Sequence, residues 1–153
     1  MSAIQFFGWN KKAKTALRSI KVGDIFCFVI NGRGYGVGRI MTRNSLGHVA
    51  EIFDVVTQEP NINEIPEKRF ARPVILDSYS LFDRKTEGDW RIIAHDLKYQ
   101  PSVEEPVRFV YGVADNVKLV DIFDNEVPFS GAKASFPLYA PMGDEDIKEF
   151  MGV

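Results

Sequence analysis

Four glycines at alternate positions in "NGRGYGVGR" (residues 31–39), Gly32, Gly34, Gly36 and Gly38, constrain this chain more than any other stretch. A dinucleotide fingerprint needs G-x-G-x-x-G between a strand and a helix, and a P-loop needs Gly-Lys-Ser/Thr. Here the spacing is two, which is the period of a strand, and "RIMTR" continues that strand. A kinase-type glycine loop also sits on a hairpin, but its HRD and DFG partners are absent. Asn31-Gly32 is the strongest short hairpin signal in the chain, because both residues tolerate the positive φ of a type I′ turn. The stretch therefore reads as a turn between "KVGDIFCFVI" (21–30) and a return strand "YGVGRIM" (35–41). Gly36 and Gly38 leave one face of that strand bare, which calls for close approach of another backbone or an aromatic ring.

The same period organises the rest. After Asp24, both faces of residues 21–30 are apolar, as in a strand buried on both sides. "HVAEIFDVV" (48–56) alternates as a third meander strand. "RPVILDSYSLFD" (72–83) reads as a long strand, joined by "RKTEGD" to the next, "WRIIAHD" (90–96). "VRFVYG" (107–112) and "VKLVDIF" (117–123) form a last pair. "QEPNINEIPEKRF" (58–70) reads as a loop with a short helical turn. "NKKAKTALRS" (10–19) predicts a short helix capped by Asn10. "DEDIKEFM" (144–151) predicts a closing helix, with Ile147, Phe150 and Met151 on one face and Gly152 at the stop. The expected fold is α+β and β-rich: an antiparallel sheet or partly open small barrel with short N-terminal and C-terminal helices, residues 1–153 forming one domain.

No apolar run approaches the length that spans a bilayer, and "IQFFGW" followed by basic residues lacks a signal-peptide pattern, so no membrane role is expected. A single cysteine, Cys27, fits a reducing cytoplasm. One Cys and two His, His48 and His95, cannot supply a zinc set, so no metal or other cofactor is expected. Cys27 lies mid-strand between Phe26 and Phe28, where a thiol is a small hydrophobe rather than a nucleophile. There is no G-x-S-x-G elbow, and lone histidines at strand ends are structural by default, so no catalytic residue is assigned and an enzyme is not expected.

Charge is distributed unevenly. Residues 1–43 carry eight Lys/Arg against Asp24 alone, whereas residues 44–153 carry eleven bases against twenty acids. The basic segment, with Lys11, Lys12, Lys14 and Arg18, allows an alternative reading as a small β-barrel nucleic-acid-binding module. The sequence pI near 5.7 argues against a dedicated binder, so no direct nucleic-acid contact is expected. The acids cluster around turns and strand ends: Asp83, Glu87 and Asp89; Glu104 and Glu105; Asp121, Asp124 and Glu126; and Asp144, Glu145 and Asp146. The last trio suits the N-terminus of the closing helix. The other eight form an acidic surface suited to a basic partner.

In "KVGDIFCF" followed by "GYGVGRI" the chain resembles the immunity protein 26 family of bacterial polymorphic-toxin and contact-dependent inhibition systems. The matching positions are Gly23, Asp24 and Phe26, then Gly34, Tyr35, Gly38 and Arg39. "EIFDV" with Phe53-Asp54, the Trp90 strand, and a proline before the aromatic-rich "EEPVRFVY" follow in order. The resemblance implies an immunity domain that binds a cognate toxin domain, here expected to be a basic nuclease, and occludes its active site in the cytoplasm. Expected toxin-contacting residues are Asp83, Glu87, Asp89, Glu104, Glu105, Asp121, Asp124 and Glu126.

Overall fold

The computed structural model of the chain describes residues 3–11, 16–82 and 88–153. Its frame is a six-stranded antiparallel sheet built from β1 (Ile4–Phe6), β2 (Asp24–Ile30), β3 (Gly34–Asn44), β4 (Gly47–Thr57), β5 (Val74–Leu76) and β6 (Trp90–Asp96), in the order β1-β6-β2-β3-β4-β5. A second sheet, ordered β7-β8-β9, holds β7 (Phe109–Val113), β8 (Asn116–Val120) and β9 (Glu126–Pro128). Among the described residues, two helices, α1 (Ser78–Phe82) and α2 (Asp144–Met151), join the sheets alongside short 3₁₀ turns. The fold is thus α+β and β-rich, as expected, with two open antiparallel sheets in place of a barrel.

The β2–β3 hairpin forms where the glycine run places it, with a different turn. Ile30 pairs with Gly34, so three residues make the connection, and of the Asn31-Gly32 pair only Gly32 takes positive φ (+77°). That is the pattern of a type II turn, closed by Arg33 N–H on the Ile30 carbonyl at 3.0 Å. On the ladder, Phe28 stands opposite Gly36 and Phe26 opposite Gly38. Their rings lie over the two glycines, where a Cβ on either would collide with the ring. Trp90, across β2 from Phe28, stacks on it at 4.1 Å and 7°. The bare strand face is therefore the bed of an aromatic layer, which Phe82 closes edge-on.

This layer is the centre of the largest apolar cluster, under α1, α2 and the 3₁₀ turn Leu17–Ser19. From α2, Ile147 and Met151 are buried in it, and Asp144 accepts the Trp90 indole N–H at 2.8 Å. The opposite face of the sheet carries two further clusters. One gathers Ile25, Cys27, Val37, Phe53 and Ile93; the other joins Met41, Val49 and Ile75 to Val107, Phe109 and Ile122 and so seats the second sheet. Thr42 fixes that seat by donating to the Ile122 carbonyl at 2.5 Å. The segment 137–142 staples both sheets, bridging Leu138 to Val110 and Met142 to Leu76 in parallel.

Three local expectations change. The long strand over 72–83 stops at Leu76 and becomes α1, because Asp77 caps a turn: its Oδ1 accepts from Ser80 N–H and its carbonyl from Leu81 N–H. Ser78, Leu81 and Phe82 then share one buried helical face, which a strand would have split between two sides. Strands β1 and β9, absent from the sequence reading, are three-residue edges recruited by β6 and β8. The loop 58–70 forms no helical turn and instead returns to β4 through the bridge of Phe53 with Arg69. The expected helix over 10–19 falls partly outside the described residues; its described ends are the 3₁₀ turns Trp9–Lys11 and Leu17–Ser19. Among the described residues no helix is long and apolar enough to cross a membrane.

Candidate partner-binding surface

The structure converts the acidic turn after β8 into a defined surface. Asp121 organises it, accepting the Phe123 and Asn125 backbone N–H groups at 2.9 Å each. That arrangement presents Asp124 toward Ser45, whose N–H it accepts at 3.1 Å, and toward Tyr139, whose hydroxyl donates to it at 2.7 Å. Glu126 on β9 accepts the Tyr111 hydroxyl from β7. The Tyr111 and Tyr139 rings stand 5.3 Å apart. Two tyrosines and the carboxylates of Asp124 and Glu126 thus share one surface, beside the turn held by Asp121, with Phe123 exposed. The hydrogen bond to Glu126 raises the Tyr111 pKa, and burial followed by the bond to Asp124 raises that of Tyr139, so both phenols stay neutral donors. Lys118 stands opposite Tyr111 on β8.

The other expected contact residues fall elsewhere. Glu104 is exposed in the loop before β7, and Asp89 is partly buried beside β6. Glu105 is buried and gripped by Arg69 through two bonds, Nη1–Oε1 at 2.5 Å and Nη2–Oε2 at 2.9 Å, so its charge is spent inside the protein. Burial pushes the Glu105 carboxyl up, but the Arg69 bonds more than offset this and hold it below the ordinary carboxylate range. Asp83 and Glu87 lie outside the described residues, as do Lys12 and Lys14 of the basic segment.

Several of the remaining titratable groups are buried or paired inside the protein. The Cys27 thiol is buried, and burial pushes its pKa up to about 12. His48 meets the Ser78 hydroxyl at 2.7 Å, but the pair is sealed from solvent, and burial lowers the His48 pKa to about 4. His95 Nδ1 contacts Asp24 at 2.8 Å, and Asp24 also accepts the Lys21 N–H at 2.8 Å. Burial raises the Asp24 pKa against both bonds. Arg39 joins β4 to β6, bonding Glu51 at 2.8 Å and Asp96 at 3.1 Å while stacking 4.1 Å over the Tyr99 ring. Among the described residues no group of His, Cys, Asp and Glu is placed to hold a metal ion.

These pairs explain the sequence signature around residues 23–39. Gly23 takes φ +92° with the Asp96 carbonyl 2.7 Å from where a Cβ would stand, so β6 can close onto the start of β2. Asp24 and Arg39 then pin that junction from its two sides. The family model described as Immunity protein 26 matches residues 21–118, close to two thirds of the chain. The chain belongs to the immunity protein 26 family. No curated protein and no solved structure matches it.

Membership in the immunity protein 26 family gives the chain an immunity function, with a toxin protein as the implied partner. The family-matched stretch contains the glycine hairpin, the Asp24–His95 and Arg39 pairs, and Tyr111, but ends before the turn at 121–126. Sequence reasoning found the acids of that turn and missed the tyrosines. Tyr111 sits at an outward position of a short strand, a signal that could have been read. Tyr139 lies in an irregular segment with no periodicity and is brought in only by the staple between the sheets.

Proposed function

We propose that this chain neutralises a cognate toxin domain, a nuclease, by seating the surface of Tyr111, Tyr139, Asp121, Asp124 and Glu126 over the toxin's basic active-site cleft. The observation that carries this reading is the convergence of the Asp124 and Glu126 carboxylates with Tyr111 and Tyr139 on one surface, beside the turn that Asp121 holds. A nuclease cleft is lined with cations that hold phosphates, and carboxylates in fixed positions compete for the same cations. Tyrosines add large, rigid contact area and rank among the residues that dominate binding energy. Inhibition is by occlusion in the cytoplasm, with residues 1–153 acting as one immunity domain and none of the internal His, Cys or Asp pairs taking part in chemistry.

Binding of the toxin domain encoded beside this chain, measured by calorimetry and stopped flow, tests the reading. Asp121 and Asp124 also hold the turn together, so the informative variants are Glu126→Lys and Tyr111→Ala, whose side chains, among the described residues, hydrogen-bond only to each other. Tyr111→Ala is expected to cost about 2 kcal/mol of binding, roughly thirtyfold in affinity. Glu126→Lys is expected to slow association and flatten its salt dependence. Wild-type affinity and unchanged on-rates in both variants would refute the surface assignment.

A further inference from the structure

A groove of 460 Å³ runs between α2, β5 and the staple segment, lined by Arg72, Ile75, Leu138, Met142 and Phe150 among others. Its walls are apolar apart from one cation and the α2 carboxylates. Arg72 is partly buried, donates to the Pro73 carbonyl at 2.9 Å and packs 5.0 Å over the Phe150 ring. It makes no ion pair among the described residues, and burial alone lowers its pKa, with no carboxylate restoring it. Asp146 and Glu149 line the α2 wall, but Asp146 is engaged by the Gly143 N–H and neither neutralises Arg72.

On its other side Arg72 also lines a second hollow of 280 Å³, with Arg69, Glu105 and Arg108. Three guanidinium groups meet a single carboxylate there. Arg69 takes that carboxylate, and Arg108 donates only to the Glu105 and Val107 carbonyls, both at 2.8 Å. A partly desolvated guanidinium with no counter-ion, at the junction of an apolar groove and a cationic hollow, is a charge waiting for a partner. The groove and the acidic surface meet at the staple segment, through neighbouring residues. Leu138, 67% exposed, lines the groove, while Tyr139 beside it holds Asp124. Successive side chains of an extended segment leave on opposite sides, so one strip of backbone borders both.

We propose that this groove receives an extended segment of the toxin, with an apolar side chain lodged against Leu138, Met142 and Phe150 and an adjacent carboxylate paired with Arg72. The inference rests on the proposed toxin binding and adds to the interface a groove in which Arg72 has no ion-pair partner among the described residues, beside a hollow where Arg69, Arg72 and Arg108 meet a single carboxylate. Arg72 faces an acidic residue of the toxin segment, while the tyrosine–carboxylate face covers the toxin's basic cleft. Opposite charge requirements on two adjoining faces also fix the orientation of docking.

The test uses two variants and two probes. Arg72→Met keeps the stem on Phe150 and removes the charge; Leu138→Glu places a carboxylate at the groove mouth on a side chain already mostly in solvent. With the neighbouring toxin domain, each is expected to weaken binding at least tenfold while melting within a few degrees of wild type. As a partner-free probe, 3-phenylpropionate should shift the NMR signals of Leu138, Met142 and Phe150. The uncharged 3-phenylpropanol should bind several-fold more weakly, and Arg72→Met should erase the difference. Toxin binding within twofold of wild type in both variants overturns the groove while leaving the acidic surface standing. Equal binding of the two small probes overturns the carboxylate assignment to Arg72. Failure of the wild-type chain to bind the toxin domain overturns the toxin reading itself, and the groove's assignment falls with it.

Discussion

Replacing Gly38 by alanine adds one methyl group to a crowded place in the sheet. A Cβ built there lies 2.7 Å from Phe26 Cε1 and 2.7 Å from the Glu51 carbonyl oxygen. The backbone needs no special φ at this position, so the cost is steric. Phe26 is fully buried and wedged among Phe28, Phe82 and Trp90, so its ring has no open direction in which to tilt. Overpacking of this kind costs about 1–3 kcal/mol. The Glu51 oxygen is backbone of β4, and moving it weakens a ladder hydrogen bond worth about 1 kcal/mol. Gly38→Ala should therefore destabilise by about 2–4 kcal/mol, a large fraction of a typical domain's stability. Gly32→Ala, in the same hairpin, meets no atom within 4 Å and carries only the positive-φ penalty of about 1 kcal/mol. Denaturant unfolding followed by tryptophan fluorescence gives both values. A smaller ring partner sharpens the test: Phe26→Leu should relieve the clash, so the double variant loses less than the sum of the singles. A Gly38→Ala cost no larger than that of Gly32→Ala, or strict additivity with Phe26→Leu, would refute the account of aromatic rings bedded on glycine.

The buried His48 makes stability fall with acid over a defined range. Its folded pKa is lowered by burial to about 4 from 6.5, so its contribution is complete above pH 6.5 and is lost as the unfolded chain takes up the proton below that. Between pH 7 and pH 5 this linkage removes about 2 kcal/mol. His48→Asn, which keeps a partner for Ser78 and does not titrate, should abolish that part of the pH dependence in parallel denaturation curves; an unchanged slope would contradict it. Cys27, fully buried with its pKa pushed up to about 12, should resist a thiol reagent at pH 8 in the native protein and react on unfolding. Rapid labelling under native conditions would show that β2 opens locally.

The sequence by itself determined the β-rich class, the β2–β3 hairpin and the closing helix. Each is written in a local repeat: alternate glycines facing a strand apolar on both sides, and an acidic first turn before Ile147, Phe150 and Met151. Family membership was legible for the same reason, since Gly23, Asp24 and Arg39 are the residues that close β2, β3 and β6 on one another. Tertiary structure decided what a local pattern cannot carry. Residues 78–82 satisfy either a strand or a helix, and the helix prevails because Ser78, Leu81 and Phe82 then face one core. Glu104 and Glu105 are neighbours of equal charge, yet Arg69, 36 residues away, buries one and leaves the other in water. The surface of Tyr111, Asp124, Glu126 and Tyr139 exists only because β9 pairs with β8 and the staple segment docks on β7. Periodicity encodes which way a side chain points along its own element, whereas which distant side chains meet is settled by burial and pairing between elements.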